Sequence, residues 1–381
     1  MTRVIAGPIA VCANQAWNLV NFRAGLIRAL IARGFSVVAI APPDAEMERR
    51  LADMGCAFEP VEIDSAGLSP LRDFATFFAF RRAIARHKPA AWLSWTIKPN
   101  VYGSLAARLA GVPAFPNVSG LGTAFIRQGL LTQIAKRLYR TGFARAHRVF
   151  FQNTDDRDLF VALGMVRAGQ TALLPGSGID ANHWAPASDE RPGPNRFLMI
   201  ARVVADKGVR EYAEAAKAVR AHLPEARFAL MGPLDVANRT AIARDEVERW
   251  QDEGAIEYLP PADDVRAAVN AADWIVLPSY REGLSRVLLE AAAMARPIVT
   301  TDVPGCRDVV TDGVNGFLCE ARDTGSLAAS LERAAACDDS RWRAMGQAGR
   351  ERVRTEFSQE RVTQLYLEAL DSAGIVPPVP T

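Results

Sequence analysis

Short apolar runs alternate with stretches of helical periodicity along almost the whole of this 381-residue chain, and that alternation leaves few folds open. Strand–helix–strand units close as right-handed crossovers, so a long series of them builds a parallel sheet covered by helices on both faces. The clearest unit is residues 273–300, DWIVLPSYREGLSRVLLEAAAMARPIVT. Asp273 to Leu277 is an apolar run ended by Pro278, as suits a buried parallel strand. Ser279 to Gly283 turns the chain. From Leu284 onward, Val287, Leu288, Ala291, Ala292 and Ala295 recur at helical spacing until Pro297 stops the helix, and Pro297 to Thr300 begins another strand. The loop carries Glu282 and the helix carries Glu290. Two carboxylates at the carboxyl end of a strand, beside a helix N-terminus that favours anions, suit a polyhydroxylated, phosphate-bearing ligand.

The same periodicities predict strands at 9–13, 35–41, 57–61, 90–95, 113–117 and 148–152. Between them lie a helix running from Phe22 to its stop at Gly34 and helices near 45–54, 71–87, 100–110 and 130–146. LLPGSGID at 173–180 ends this series, and DERPGPN at 189–195 has the polar, proline- and glycine-rich make-up of a boundary. A second series follows: strand 196–201, helix 209–221, strand 226–231, helix 239–252, strand 255–259, helix 263–271, then the 273–300 unit. Helices at 323–336, 339–355 and 358–371 close the chain before a VPPVPT tail. A chain this long exceeds one hydrophobic core. The expected architecture is α/β, with two doubly wound domains facing a cleft: 1–180, 181–355, and a last helix and tail, 356–381, crossing back to the first.

With 49% apolar and 23% charged residues, the composition is that of an ordinary globular protein. No apolar run reaches the ~20 residues that span a bilayer, and Arg3 with VIAGPIAVCA flows into the first helix without a cleavage context, so no signal peptide is expected. Cysteines 12, 56, 306, 319 and 337 form no CxxC pair, which predicts reduced thiols and a cytosolic location. The net charge of +2 conceals an asymmetry. Residues 1–154 hold 19 basic and 8 acidic side chains, whereas 155–381 hold 26 and 35, and 74–154 contain twelve Arg or Lys and no acid at all. Such a half fits an anionic partner: a membrane surface, a nucleic acid or a phosphorylated substrate. An arginine- and alanine-rich solvated surface is the plainer alternative.

After strand 196–201 comes Arg202-Val-Val-Ala-Asp-Lys207-Gly208 at the start of a helix. A guanidinium and an ammonium beside a glycine at a helix start hold a diphosphate well, although charged strand-to-helix turns are common. ARVVADKG (201–208), EGLSRVLLE (282–290) and PGCRDVVTDGVNGFL (304–318) together resemble the large retaining glycosyltransferase family of GT-B fold, often called family 4. The N-terminal segments NLVNFRAGLIRALIARGFSVVAIAP, TIKPNVYGSLAARLAG and NVSGLGTAFI resemble its branch acting on polyprenyl-diphosphate-linked saccharides in capsule, O-antigen or glycoprotein glycan assembly.

The resemblance implies that Arg202 and Lys207 bind the donor diphosphate, that Glu290 accepts hydrogen bonds from the nucleotide ribose, and that Glu282 meets sugar hydroxyls. It places backbone N–H groups of Gly283, Leu284, Ser285 and Arg286 on sugar or phosphate, Asn117, Gly120 and Gly122 on the substrate side of the first domain, and the base near Pro233 and Leu259 to Val265. Cations and helix N–H groups suit the charge that develops on a departing nucleoside diphosphate, and carboxylates suit vicinal hydroxyls. Many family members carry a histidine in the loop where this chain has NVSGLG (117–122), and here there is none. Histidines 87, 147, 183 and 222 stand alone, so the general base is open; the leaving phosphate oxygen can itself take the acceptor proton.

Asp156-Arg-Asp158 spells a metal-binding DxD, but it opens a helix with Thr154 in the N-cap position, so capping explains it and no metal or cofactor is expected. Helix 130–146 interleaves Lys136, Arg137, Arg140 and Arg145 with Leu130, Leu131, Ile134, Leu138 and Tyr139. With the aromatic helix 71–87 it can lie on anionic lipid, or both apolar faces can pack on their own sheet. No nucleic-acid module accompanies the charge. The expected activity is metal-independent, retaining transfer from a nucleotide sugar, UDP-linked, to a polyprenyl-diphosphate-linked saccharide at the inner face of the cytoplasmic membrane. A nucleotide-sugar 2-epimerase of the same architecture and a non-catalytic nucleotide-sugar-binding protein are the alternatives.

Overall fold

A computed structural model describes residues 7–64, 69–121, 130–193 and 195–377. The chain divides into two compact units, Met1–Gly178 with Gln359–Thr381, and Ile179–Ser358. The first carries, in chain order, β1 (Ile9–Cys12), α1 (Ala16–Ala32), β2 (Val37–Ala41), α2 (Ala45–Asp53), β3 (Ala57–Pro60), α3 (Pro70–His87), β4 (Ala91–Trp95), α4 (Ser104–Leu109), β5 (Ala114–Val118), α5 (Leu130–Phe143), β6 (Val149–Phe151), α6 (Thr154–Ala162) and β7 (Thr171–Leu173). The second carries β8 (Arg196–Ile200), α7 (Val209–Arg220), β9 (Arg227–Met231), α8 (Arg244–Asp252), β10 (Glu257–Leu259), α9 (Arg266–Ala271), β11 (Trp274–Leu277), α10 (Arg286–Ala293), β12 (Ile298–Thr301), β13 (Gly316–Cys319), α11 (Thr324–Ala335) and α12 (Asp339–Glu356). A last helix, α13 (Gln359–Ser372), belongs to the first unit.

Each unit is built on one parallel sheet. The strand orders are β3-β2-β1-β4-β5-β6-β7 and β10-β9-β8-β11-β12-β13, the doubly wound arrangement in which the order reverses between the first strand and the fourth. β1, β2, β4, β5 and β6 are buried throughout, as strands covered on both faces must be. Alternate residues feed different layers. Ile9 and Val11 face the side packed by α1 and α13, while Ala10 and Cys12 face the side where α3 and α4 contribute Phe80, Ile84 and Ala107.

The helix ends follow from local chemistry. Asp44 caps α2 by accepting from the Met47 N–H at 3.2 Å, and Pro70 stands in the first turn of α3, where a missing N–H is harmless. Asn153, not Thr154, caps α6, its Oδ1 accepting from the Asp156 N–H at 2.7 Å. Asp156 is buried while Asp158 is exposed and paired with Arg157 at 2.8 Å. The two acids of the DxD therefore face different surroundings. TIKPN leads first into a single π turn, Pro99–Gly103, and only then into α4. α5 buries Tyr139 and Phe143 in its own unit, and Arg140 donates to the Leu163 and Gly164 carbonyls at 3.1 and 3.0 Å. The C-terminal part of the apolar side of α5 is thus occupied by packing, while Ile134 is 46% exposed.

α13 is fastened through a buried tyrosine. The Tyr366 hydroxyl accepts from Trp95 Nε1 at 3.1 Å and from Asn117 Nδ2 at 2.9 Å, joining the ends of β4 and β5 to the last helix. At the surface, Arg33 Nη2 meets both carboxylate oxygens of Asp371 at 2.8 and 2.7 Å. Replacing Tyr366 by Phe keeps the ring but leaves two buried donors without an acceptor. Tyr366→Phe is expected to destabilise the protein by about 1–3 kcal/mol, read as a lowered denaturation midpoint. An unchanged midpoint would show that the hydroxyl bridges are of no consequence to the unit.

Candidate functional site

The strand order of the C-terminal unit reverses between β8 and β11, so the loops leaving their carboxyl ends diverge and open a crevice there. The sequence puts Arg202, Lys207 and Gly208 on one loop and Tyr280 to Ser285 on the other. Backbone and side-chain bonds draw the two together. The Tyr280 N–H donates to the Asp206 carbonyl at 2.9 Å, and Ser279 Oγ to the same oxygen at 3.3 Å. Gly208 has φ +73°, and a Cβ there would stand 2.1 Å from the Pro278 carbonyl oxygen, so this contact demands glycine twice over. Tyr280 is aimed by its hydroxyl, which donates to Glu211 Oε1 at 2.6 Å, while Arg322 covers its ring at 4.5 Å.

Across this seam Lys207 Nζ forms an ion pair with Glu282 Oε1, with both side chains mostly shielded from water. Glu282 is braced from the other side by the turn after β12. Its N–H donates to the Pro304 carbonyl at 3.0 Å, and Gly305, at φ +80°, lets that turn approach so closely that a Cβ would lie 2.5 Å from the Glu282 carbonyl oxygen. Gly305 N–H in turn donates to Asp308 Oδ2 at 2.7 Å. The PGCRDVV stretch is therefore the rear support of the Glu282 loop. Tyr280, Glu211 and this turn escaped the reading of the sequence as site-builders. Their partners lie far away in the chain, and only the PGCRDVV motif itself signalled that segment.

Arg202 differs from Lys207. It is exposed, and its guanidinium makes no hydrogen bond or ion pair among the described residues. It stands at a pocket of about 220 Å³ lined by Ile200, Gly232, Pro233, Pro261, Val265 and Val287 among others. The walls are almost wholly apolar with a cation at the rim, a lining that takes a flat ring carrying an anionic group. Pro233 and Val265 are thus brought beside Arg202, as are Pro261 and Ala262 from the segment after β10.

Glu290 lies within α10 and is buried, with Arg286 Nε 2.6 Å from its Oε1. Burial pushes its carboxyl above the ordinary glutamate value, opposed by the charge and hydrogen bond of Arg286. The α10 N-terminus points into the same loop region. One expectation needs correction: the Ser285 N–H donates to the Gly305 carbonyl at 3.2 Å, so it serves the fold and not a ligand. Leu284 packs its side chain against the core of the unit. In the N-terminal unit, Asn117 is fully buried with its amide on Tyr366, a structural engagement rather than an exposed binding group. Gly120 sits just beyond β5 at φ +138°, and Gly122 lies outside the described residues.

Residues 21–176 match the family model described as glycosyl transferase 4-like domain, and residues 194–336 match that described as glycosyl transferases group 1. Over 95% of its length the chain is 27% identical to the N,N'-diacetylbacillosaminyl-diphospho-undecaprenol alpha-1,3-N-acetylgalactosaminyltransferase of Campylobacter jejuni, covering 98% of that protein. It is 23% identical to the Escherichia coli UDP-Gal:alpha-D-GlcNAc-diphosphoundecaprenol alpha-1,3-galactosyltransferase, over 79% of this chain and 81% of that one. Among solved structures, Anabaena HepE in complex with UDP-glucose superimposes with a TM-score of 0.79 at 17% identity, covering 96% of this chain and 100% of HepE. At that identity the likeness speaks for the fold, two parallel-sheet Rossmann-like domains of GT-B type.

The raised pKa of Glu290 has a measurable consequence. Between the ordinary value of 4.5 and the higher folded value, the native state binds the proton that the unfolded state releases. The contribution of this carboxyl to stability is therefore fully present below 4.5 and is lost as pH rises through that window. Glu290→Gln cannot ionise, and should remove this contribution to the pH dependence. Parallel stability–pH curves for the two proteins would remove the buried carboxyl as its cause.

Proposed function

For a chain that belongs to the group 1 glycosyltransferases of GT-B fold, we propose retaining, metal-independent transfer of a hexose or N-acetylhexosamine from a UDP-linked donor to a polyprenyl-diphosphate-linked saccharide. The observation that carries this is the crevice between β8 and β11. A shielded Lys207–Glu282 pair and an exposed Arg202 stand there beside an apolar pocket. The names of the Campylobacter and Escherichia relatives, both acting on diphospho-undecaprenol saccharides and one on UDP-Gal, support the acceptor class and the nucleotide.

In this reading the base occupies the pocket beside Pro233 and Val265, with Glu290 taking the ribose hydroxyls. Arg202 meets the diphosphate at the rim. Lys207 shares its ammonium between Glu282 and the phosphate nearest the sugar, and Glu282 turns its second oxygen to a sugar hydroxyl. When the anomeric carbon–oxygen bond breaks, the departing diphosphate gains charge in a place where two cations and the start of α10 already stand. Preorganised charge of this kind lowers the barrier without reorganisation, the role a divalent ion fills in other folds. The acceptor oxygen bonds to the anomeric carbon on the face the diphosphate leaves, and its proton passes to the leaving phosphate oxygen. No side chain need act as the base. A lipid-linked acceptor implies work at a membrane surface, and the five cysteines, all free and buried, suit the reducing cytoplasmic face.

Incubation with a panel of UDP-sugars and a polyprenyl-diphosphate-linked saccharide, with product mass and UDP release followed together, tests the activity. One saccharide added per UDP released, undiminished by EDTA, is expected. A free epimer formed without acceptor, or no turnover with any donor, would overturn it. Lys207→Ala should lower turnover about 10²- to 10³-fold, the usual effect of removing one charge-stabilising group; near-normal turnover would remove Lys207 from the diphosphate site.

A further inference from the structure

We propose that the first two turns of α3 are a membrane-insertion element that seats the N-terminal unit on an anionic bilayer. α3 buries Thr76, Phe80, Ala83 and Ile84. The opposite side of a surface helix is normally polar, but here Leu71, Phe74 and Phe78 are 84%, 64% and 42% exposed. Their spacing of three and four residues stacks them on one side of the helix. The Phe74 and Phe78 rings meet edge to face, 4.8 Å between centroids, so the stripe is a single apolar surface.

Arg81 and Arg82 follow on the same side in the next turn. Both are exposed, and neither makes a hydrogen bond or ion pair among the described residues, whereas Arg86 further along is neutralised by Glu59 at 2.7 Å. No acidic residue occurs anywhere in 74–154 to offset them. An apolar tip backed by uncompensated guanidinium groups complements an anionic bilayer, with rings in the acyl boundary and cations among headgroup phosphates. A second copy of the chain is the poorer partner. A two-fold contact through this stripe would bring the same arginines against each other.

The placement of the stripe gives it a purpose, which rests on the lipid-linked acceptor proposed above. α3 leaves the carboxyl end of β3, so its first turns lie at the sheet edge from which the loops after β1, β4 and β5 emerge. Asp73, between Leu71 and Phe74, pairs with Lys98 at 2.6 Å and accepts from the Tyr102 hydroxyl at 2.9 Å. Both partners come from the segment after β4, beside the point where the sheet order reverses. Insertion of the tip therefore fixes that loop at headgroup depth, where the diphosphate of a lipid-linked saccharide lies.

Flotation of the full-length protein with vesicles tests this, comparing phosphatidylglycerol with phosphatidylcholine. The wild type should bind phosphatidylglycerol vesicles. Phe74→Ser/Phe78→Ser and Arg81→Glu/Arg82→Glu should each weaken that binding about tenfold or more. Both exposed-surface variants should keep the wild-type melting transition and UDP affinity. Unchanged flotation of both variants, or a wild type that ignores phosphatidylglycerol, would overturn the proposal, as would a wild-type dimer that these variants convert to monomer without any vesicle binding. Loss of flotation in variants of a protein that transfers no sugar to any lipid-linked acceptor would sustain the membrane element while sinking the acceptor reading.

Discussion

The ion pair between Lys207 and Glu282 is the contact on which the chemistry proposed for the C-terminal unit depends. The two residues are 75 positions apart and come from loops that the doubly wound topology alone would let diverge. Charge attraction in a partly shielded place holds them together, but desolvation of both partners offsets much of the gain. A pair of this kind is a poor source of stability. It is well suited to exchanging partners, because the ammonium an incoming diphosphate would take up is already partly desolvated. The surrounding structure is arranged to tolerate the tension. Gly208 admits the Pro278 carbonyl, Tyr280 is locked to Glu211, and the Gly305 turn braces Glu282 from behind.

Much of this was legible in the residues. Arg202, Lys207, Glu282 and Glu290 fall within one unit, on the loops and helix that the alternation of apolar runs located. What sequence missed has physical causes. β7 and β13 stand at the sheet edges, and a short 3-10 turn or irregular backbone rather than a long helix leads directly into each, so the alternation of apolar runs and helical stretches passed over them. α10 begins at Arg286 rather than Leu284 because Ser285, in the N-cap position, has extended backbone at φ −73° and ψ 114°. The split after Gly178 precedes the proline-rich 189–195 segment, in which Arg191 and Gly193 bind Asp273 of the C-terminal unit. A Pro/Gly-rich stretch marked irregular backbone, not the seam.

In the N-terminal unit a similar distinction separates what is buried from what is displayed. Asn117, read as a ligand contact, instead helps to satisfy Tyr366, an interaction across 249 residues that no local pattern announces. The basic helix α5 turns Tyr139 and Phe143 inward. α3 has the weaker pattern but leaves aromatic rings in water, and burial alone tells the two apart. Charge counting singled out the basic half of the chain; burial shows which helix of that half leaves aromatic rings exposed.

The central claim is that Lys207 reads the phosphate nearest the sugar. Calorimetric binding of UDP and of UMP to the wild type and to Lys207→Ala tests it without any acceptor. UDP should bind the wild type at least about tenfold more tightly than UMP, a difference of about 1.4 kcal/mol, and the variant should lose most of that preference while holding UMP unchanged. A variant that keeps the full preference would contradict the claim.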